Sequence, residues 1–236
     1  EIRTPEFGCG LEGVLEDRAT HLTGILNGVD YSVWNPQTDS LIPARYSAAD
    51  LRGKEKCKGA LQTRLGLPDK PGVPLIGMIT RLVDQKGLDL LVDVFTDLMK
   101  LDIQLAVLGT GDAKYHTFLT RAAEKYPGRV GVRLAFDDEL AHWIEAGSDM
   151  FLMPSRYEPS GLNQLYSLRY GTIPIVRRTG GLADSIANAT PSTIKGGAGT
   201  GFVFEEYNGK RMFDAVVRAV KLYKANPRAW AHLAQN

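Results

Sequence analysis

The chain has 236 residues, 44% of them apolar and 23% charged, a balance that supports a buried core and excludes a disordered tail, a coiled coil or a collagen-like fibre. Its 28 basic and 27 acidic side chains leave a net charge of +1, so bulk charge points to no nucleic-acid or membrane partner. Two cysteines, Cys9 and Cys57, stand far apart without a CxxC, which leaves no disulfide framework or zinc site to read and suggests a cytoplasmic protein.

No apolar run approaches the ~20 residues needed to cross a bilayer. The opening Glu1-Ile2-Arg3-Thr4 has no methionine and no signal pattern, as expected of a piece of a longer product. Residues 4–13 and 27–43 are punctuated by glycine and proline and read as loop, with a short helix over 11–19 and a short strand over 22–26. A helix over 48–65 is expected, capped by Ser47 and stopped by Gly66 and Pro68. From Pro74 an alternation begins. Strands are expected at 75–79, 104–108, 130–134, 150–153, 173–176 and 202–204. Helices fit 88–100, 113–126, 138–146, 161–170, 182–187 and 209–224. Residues 188–200 (NATPSTIKGGAGT) show no periodicity and read as a surface loop. Six short apolar strands alternating with helices predict an α/β fold: a Rossmann-like parallel sheet with helices on both faces.

In such a sheet ligands bind at the carboxyl ends of the strands. After the first strand come Arg81 and Lys86, a planar fork and a point charge that together suit a diphosphate. On spacing alone, two solvated surface charges are the favoured reading. After the second come Gly109 and Gly111, which permit close backbone approach but lack the third glycine of a dinucleotide fingerprint. A plain turn explains them as well. After the fourth comes a Pro-x-Gly turn into a helix, so the amides of Gly161, Leu162 and Asn163 are expected to face an anion. Glu158, just ahead, suits sugar hydroxyls or developing positive charge; its plain alternative is a charge favouring the helix, as Ser160's is an N-cap. After the fifth, Thr179 and Gly180 open another short helix, whose amides are expected to face the same cleft, with a plain cap as the alternative. The four histidines are scattered and default to packing or surface positions.

Together, residues 81–88 (RLVDQKGL), 107–112 (VLGTGD), 158–171 (EPSGLNQLYSLRYG), 179–184 (TGGLAD) and 25–36 (ILNGVDYSVWNP) resemble bacterial glycogen synthases and plant starch synthases. The resemblance covers nearly the whole chain. It implies the C-terminal half of a GT-B fold, in a retaining transferase that moves glucose from ADP-glucose to the non-reducing end of an α-1,4-glucan and releases ADP, with no cofactor and no metal. Residue by residue it implies that Arg81, Lys86 and Glu158 are catalytic, the first two gripping the diphosphate. Gly109, Gly111, Gly161, Leu162, Asn163, Thr179 and Gly180 would bind the nucleotide, with Phe136 near the adenine. Residues 1–28 would be an inter-domain linker and 29–236 the donor-binding domain, in a cytoplasmic enzyme or, from a plant or alga, a plastid one. Two positions depart from the family: Ser160 stands where cysteine is usual and Ala135 where glycine is common. The family's KTGGL segment and acceptor-side domain have no counterpart here, so the isolated chain is expected to bind ADP without turnover. A nucleotide-binding module and a UDP-glucose-using relative are the alternatives.

Overall fold

Six strands alternate with helices because each apolar run is short and is followed by a turn and a 3.6-period pattern. A computed structural model describes residues 2–235. The strands are β1 (Leu75–Ile79), β2 (Gln104–Leu108), β3 (Val130–Arg133), β4 (Met150–Met153), β5 (Ile173–Arg177) and β6 (Phe202–Phe204). They form one sheet, all parallel, in the order β3-β2-β1-β4-β5-β6. The helices are α1 (Glu12–Asp17), α2 (Arg52–Arg64), α3 (Leu88–Leu98), α4 (Ala113–Lys125), α5 (Asp138–Gly147), α6 (Asn163–Arg169), α7 (Gly180–Ser185), α8 (Pro191–Lys195), α9 (Gly209–Ala225) and α10 (Pro227–Gln235).

Alternate side chains of β1, β2 and β4 enter two separate cores. Ile76, Met78, Leu105, Val107, Met150, Leu152, Ile173 and Ile175 pack beneath α3, α4, α9 and α10. Leu75, Ala106, Leu108 and Phe151 pack on the other face with Leu61 of α2 and Leu140 and Ile144 of α5. Burial on both faces is why the strands read as unbroken apolar runs.

Four local expectations need correction. Residues 22–26 form no strand, and Ile25 and Leu26 are 89% and 75% exposed; they pair with none of the six described strands. The helix expected from residue 48 starts at Arg52, because Ser47 and Asp50 instead exchange backbone hydrogen bonds across a turn. The segment 188–200 is not all loop: Thr190 and Thr193 form a reciprocal capping box that starts α8. Helix α10 was not anticipated; it buries Trp230 and Leu233 against the core.

From Asp30 to Tyr46 the chain lies on α5 and α6. Trp34 stacks between His142 and Tyr166 at 3.8 and 4.0 Å. Asp39 accepts hydrogen bonds from the Tyr170 hydroxyl and pairs with Nδ1 of His142 at 2.6 and 2.7 Å. Burial alone would raise the Asp39 carboxyl, but these bonds and the Leu41 amide outweigh it and hold the group below its ordinary range.

Glu145 of α5 is fully buried and accepts from Ser167 Oγ at 2.7 Å, while its Oε1 has no partner among the described residues. Burial pushes its carboxyl up to about 8, against the smaller opposing effects of Ser167 and the Lys54 charge. The native state therefore holds a proton that the unfolded chain releases near ~4.3. Between those values this group's stabilisation falls as pH rises, by up to about 1.4 kcal/mol per pH unit. Urea denaturation of Glu145→Gln should match wild type near the low end of that window and show a stability gain that widens toward its upper end. Parallel pH profiles for the two proteins would refute this.

Candidate active site

β1 and β4 are neighbours, yet the chain leaves β1 toward β2 and leaves β4 toward β5. Their following loops diverge, and the gap between them is where open α/β sheets bind ligands. A cavity of about 90 Å³ lies there, lined by Thr80, Lys86, Ser155, Glu158, Gly161 and Asn163 among others.

Lys86 ends a 3₁₀ turn (Asp84–Lys86) that leads into α3. Its ammonium pairs with Oε2 of Glu158 at 2.5 Å. Ser155 Oγ donates to the same oxygen at 3.1 Å. Both bonds converge on Oε2, and Oε1 accepts none among the described residues. The two side chains are largely buried, with 19% and 9% of their surfaces exposed, so their attraction is screened far less than at the surface. The loops carrying them are tied together: the Arg156 amide donates to Gln85 O, and Gln85 Nε2 to Tyr157 O.

The helix expected from Gly161 begins at Asn163 and has seven residues. The amides of Gly161 and Leu162 therefore belong to the loop, and neither donates to an acceptor among the described residues. Gly161 has φ +68°, a left-handed conformation that favours glycine. Asn163 Nδ2 donates to Ile79 O at 2.9 Å, closing the junction between α6 and the end of β1.

Lys86, Glu158, Gly161, Leu162 and Asn163 thus share one cavity. Arg81 does not line it; its exposed guanidinium donates to Gln85 Oε1. Thr179 and Gly180 lie behind the loop, where α7 packs against it through Gly181. Phe136, 90% exposed, follows the outer strand β3. Gly109 and Gly111 lie against the backbone after β1, with Leu82 donating to Thr110 O and Asp112 to Leu82 O. The Gly111 amide donates to Nε2 of His116 at 3.1 Å. Among the described residues no group of three or more His, Cys, Asp or Glu could hold a metal, and no helix is long and apolar enough to cross a membrane.

Sequence reasoning missed Ser155, Gln164, His116 and Asn27, whose amide donates to Ser160 Oγ at 2.8 Å. Ser155 was open to discovery, since it follows a strand in the segment already singled out. The others act across 5 to 133 residues of chain or from inside a helix, and no local pattern announces them.

Residues 64–233 match the family of glycosyl transferases group 1. The chain is 51% identical over 230 residues to glycogen synthase 1 of Methylococcus capsulatus, covering 98% of this chain and 46% of that protein. It is 51% identical over 236 residues to the glycogen synthase of Koribacter versatilis, covering 100% and 48%. The chain therefore spans about half the length of the relatives it matches. Among solved structures, the catalytic domain of starch synthase IV from Arabidopsis thaliana, bound to ADP and acarbose, matches with a TM-score of 0.94 at 38% identity, over 100% of this chain and 48% of that one. The C-terminal domain of a group 1 glycosyl transferase from Francisella tularensis shares the fold, with a TM-score of 0.62 at 16% identity, over 89% and 94%.

The contact between the first two loops sets one test. A Cβ on Gly109 would lie 1.9 Å from Thr80 O, which is backbone and cannot swing aside. Gly109→Ala should cost about 1–3 kcal/mol, measured by denaturant unfolding. A variant as stable as wild type would show that this contact is loose.

Proposed function

The chain belongs to the group 1 glycosyl transferases and has the Rossmann-like half of their GT-B fold, and we propose that it is the donor-binding half of a glycogen or starch synthase. The observation that carries this reading is the cavity at the β1/β4 reversal, where the Lys86–Glu158 pair and the unpartnered amides of Gly161 and Leu162 meet. An ammonium and two amides suit a diphosphate, and a carboxylate beside them suits a sugar. The ADP held by the Arabidopsis relative supports the choice of nucleotide.

In this proposal ADP-glucose places its distal phosphate between Lys86 and the loop amides, with its glucose toward Glu158. Arg81, exposed at the rim, swings from Gln85 to the diphosphate. Gly109, Gly111, Thr179 and Gly180 border the nucleotide, and Phe136 offers a face to the adenine. The bond between C1 of glucose and the phosphate oxygen breaks, and its electron pair leaves with ADP. Lys86 and the amides stabilise that charge. Glu158 faces the positive charge that develops on the sugar; a glucan hydroxyl bonds to C1 on the face the diphosphate leaves and passes its proton to the departing phosphate oxygen, so configuration is retained. Clamping by side chain and backbone needs no metal or cofactor. Residues 1–28 serve as the linker to an acceptor-side domain, and the isolated chain binds ADP without transferring glucose.

In the ligand-free site Glu158 neutralises Lys86, so phosphate must compete with a carboxylate for the same ammonium. Lys86→Ala should lower ADP affinity about tenfold or more. Glu158→Gln, which frees the ammonium, should bind ADP at least as tightly as wild type yet abolish transfer in the longer protein. Isothermal titration with ADP, AMP and UDP, with and without magnesium, and incorporation of labelled glucose into glycogen measure both. Unchanged affinity in Lys86→Ala, or near-normal transfer by Glu158→Gln, would overturn the assignment.

A further inference from the structure

The loop amides face outward only if something holds their carbonyls inward. Gln164, 1% exposed in the first turn of α6, occupies the position to do so. Its Nε2 lies 3.0 Å from Ser160 O and 3.3 Å from Gly161 O. In a trans peptide the carbonyl of one residue and the N–H of the next point in opposite directions. Drawing Ser160 O and Gly161 O onto Gln164 therefore turns the amides of Gly161 and Leu162 the other way, and both residues line the cavity.

The same side chain ties this loop to α7. Nε2 also lies 3.2 Å from Ser185 Oγ, and Ser185 in turn donates to Gly181 O at 2.6 Å. The Gly181 amide donates to Glu158 O at 3.0 Å, which completes a ring of hydrogen bonds around the turn. No side chain fits inside that ring. A Cβ on Gly161 would meet Gln164 Oε1 at 2.5 Å, and one on Gly181 would meet Ser160 O at 2.0 Å.

We propose that Gln164 is a positioning residue that aims the Gly161 and Leu162 amides at the diphosphate of the donor. This rests on the nucleotide-sugar reading of the cavity above. Gln164 touches no reacting atom; it acts through the backbone it holds. The ligand it serves is the phosphate, so its loss should be felt by phosphate-bearing ligands and not by the nucleoside.

Gln164→Met keeps the length and approximate volume of the side chain and removes both donors. Isothermal titration of the variant should show affinity for ADP and for inorganic pyrophosphate reduced about tenfold or more, with adenosine affinity unchanged. A merely structural role would lower all three together with the melting temperature. Amide NMR of the wild-type chain gives a second measurement that needs no variant: adding pyrophosphate should move the Gly161 and Leu162 amide protons downfield. Undiminished pyrophosphate affinity in Gln164→Met, or Gly161 and Leu162 amides that stay put while pyrophosphate binds, would overturn the role of Gln164 and leave the donor site standing. Failure of the wild-type chain to bind either ADP or pyrophosphate would overturn both.

Discussion

The reversal of strand order between β1 and β4 is the constraint on which the site depends. Two parallel strands lie side by side, but their connections leave toward opposite edges of the sheet. No crossover can cover the carboxyl ends there, so loop backbone and polar side chains are exposed in a cleft whose floor is rigid and apolar. Lys86 arrives from one diverging loop and Glu158 from the other. Their contact bridges the gap, which explains how residues 72 positions apart form one ion pair.

The site is built more from backbone than from side chains. Residues of both loops line the cavity, yet the donors there left without a partner among the described residues include the peptide N–H groups of Gly161 and Leu162. Their direction depends on a glycine in a left-handed conformation and on a buried amide beneath it. A backbone donor cannot rotate to follow solvent, so once the loop is set the anion site is preformed. The charged pair behaves differently. Lys86 and Glu158 satisfy each other, which limits the cost of burying either ion before a ligand arrives.

Support for this loop reaches outward through the polar interior. Asn27 bonds Ser160, and the stretch that follows docks through Trp34 and Asp39 onto α5 and α6. The Asp39 carboxylate answers two buried partners at once, His142 and Tyr170. A segment with little regular structure is thereby fixed by a few strong contacts instead of by a ladder. Its anchors lie on α5, which packs on β1 and β2, and at α6, which packs on β4 and β5.

Much of the architecture was legible from the chain alone. The strands β2, β4 and β6 fall where their apolar runs do, because strands buried on both faces are almost wholly apolar, with the hydrogen-bonded Gln104 at the start of β2 the exception. Local chemistry also located the loops at the strand ends and singled out Lys86, Glu158 and Gly161. Other features were illegible for a common reason: their energy comes from partners distant in sequence. Residues 22–26 have the composition of a strand but pair with none of the six described strands. Ser47 has the chemistry of a cap, but Asp50 takes its backbone. Gln164 looks like any polar helix residue until two carbonyls converge on it. From Pro74 onward the sequence by itself determined which segments form buried strands, and hence the sheet, since an apolar run gains by leaving water wherever an edge is there to receive it. Which donors face the cleft was decided only in the tertiary structure, because the direction of a peptide N–H is set by what holds the carbonyl behind it.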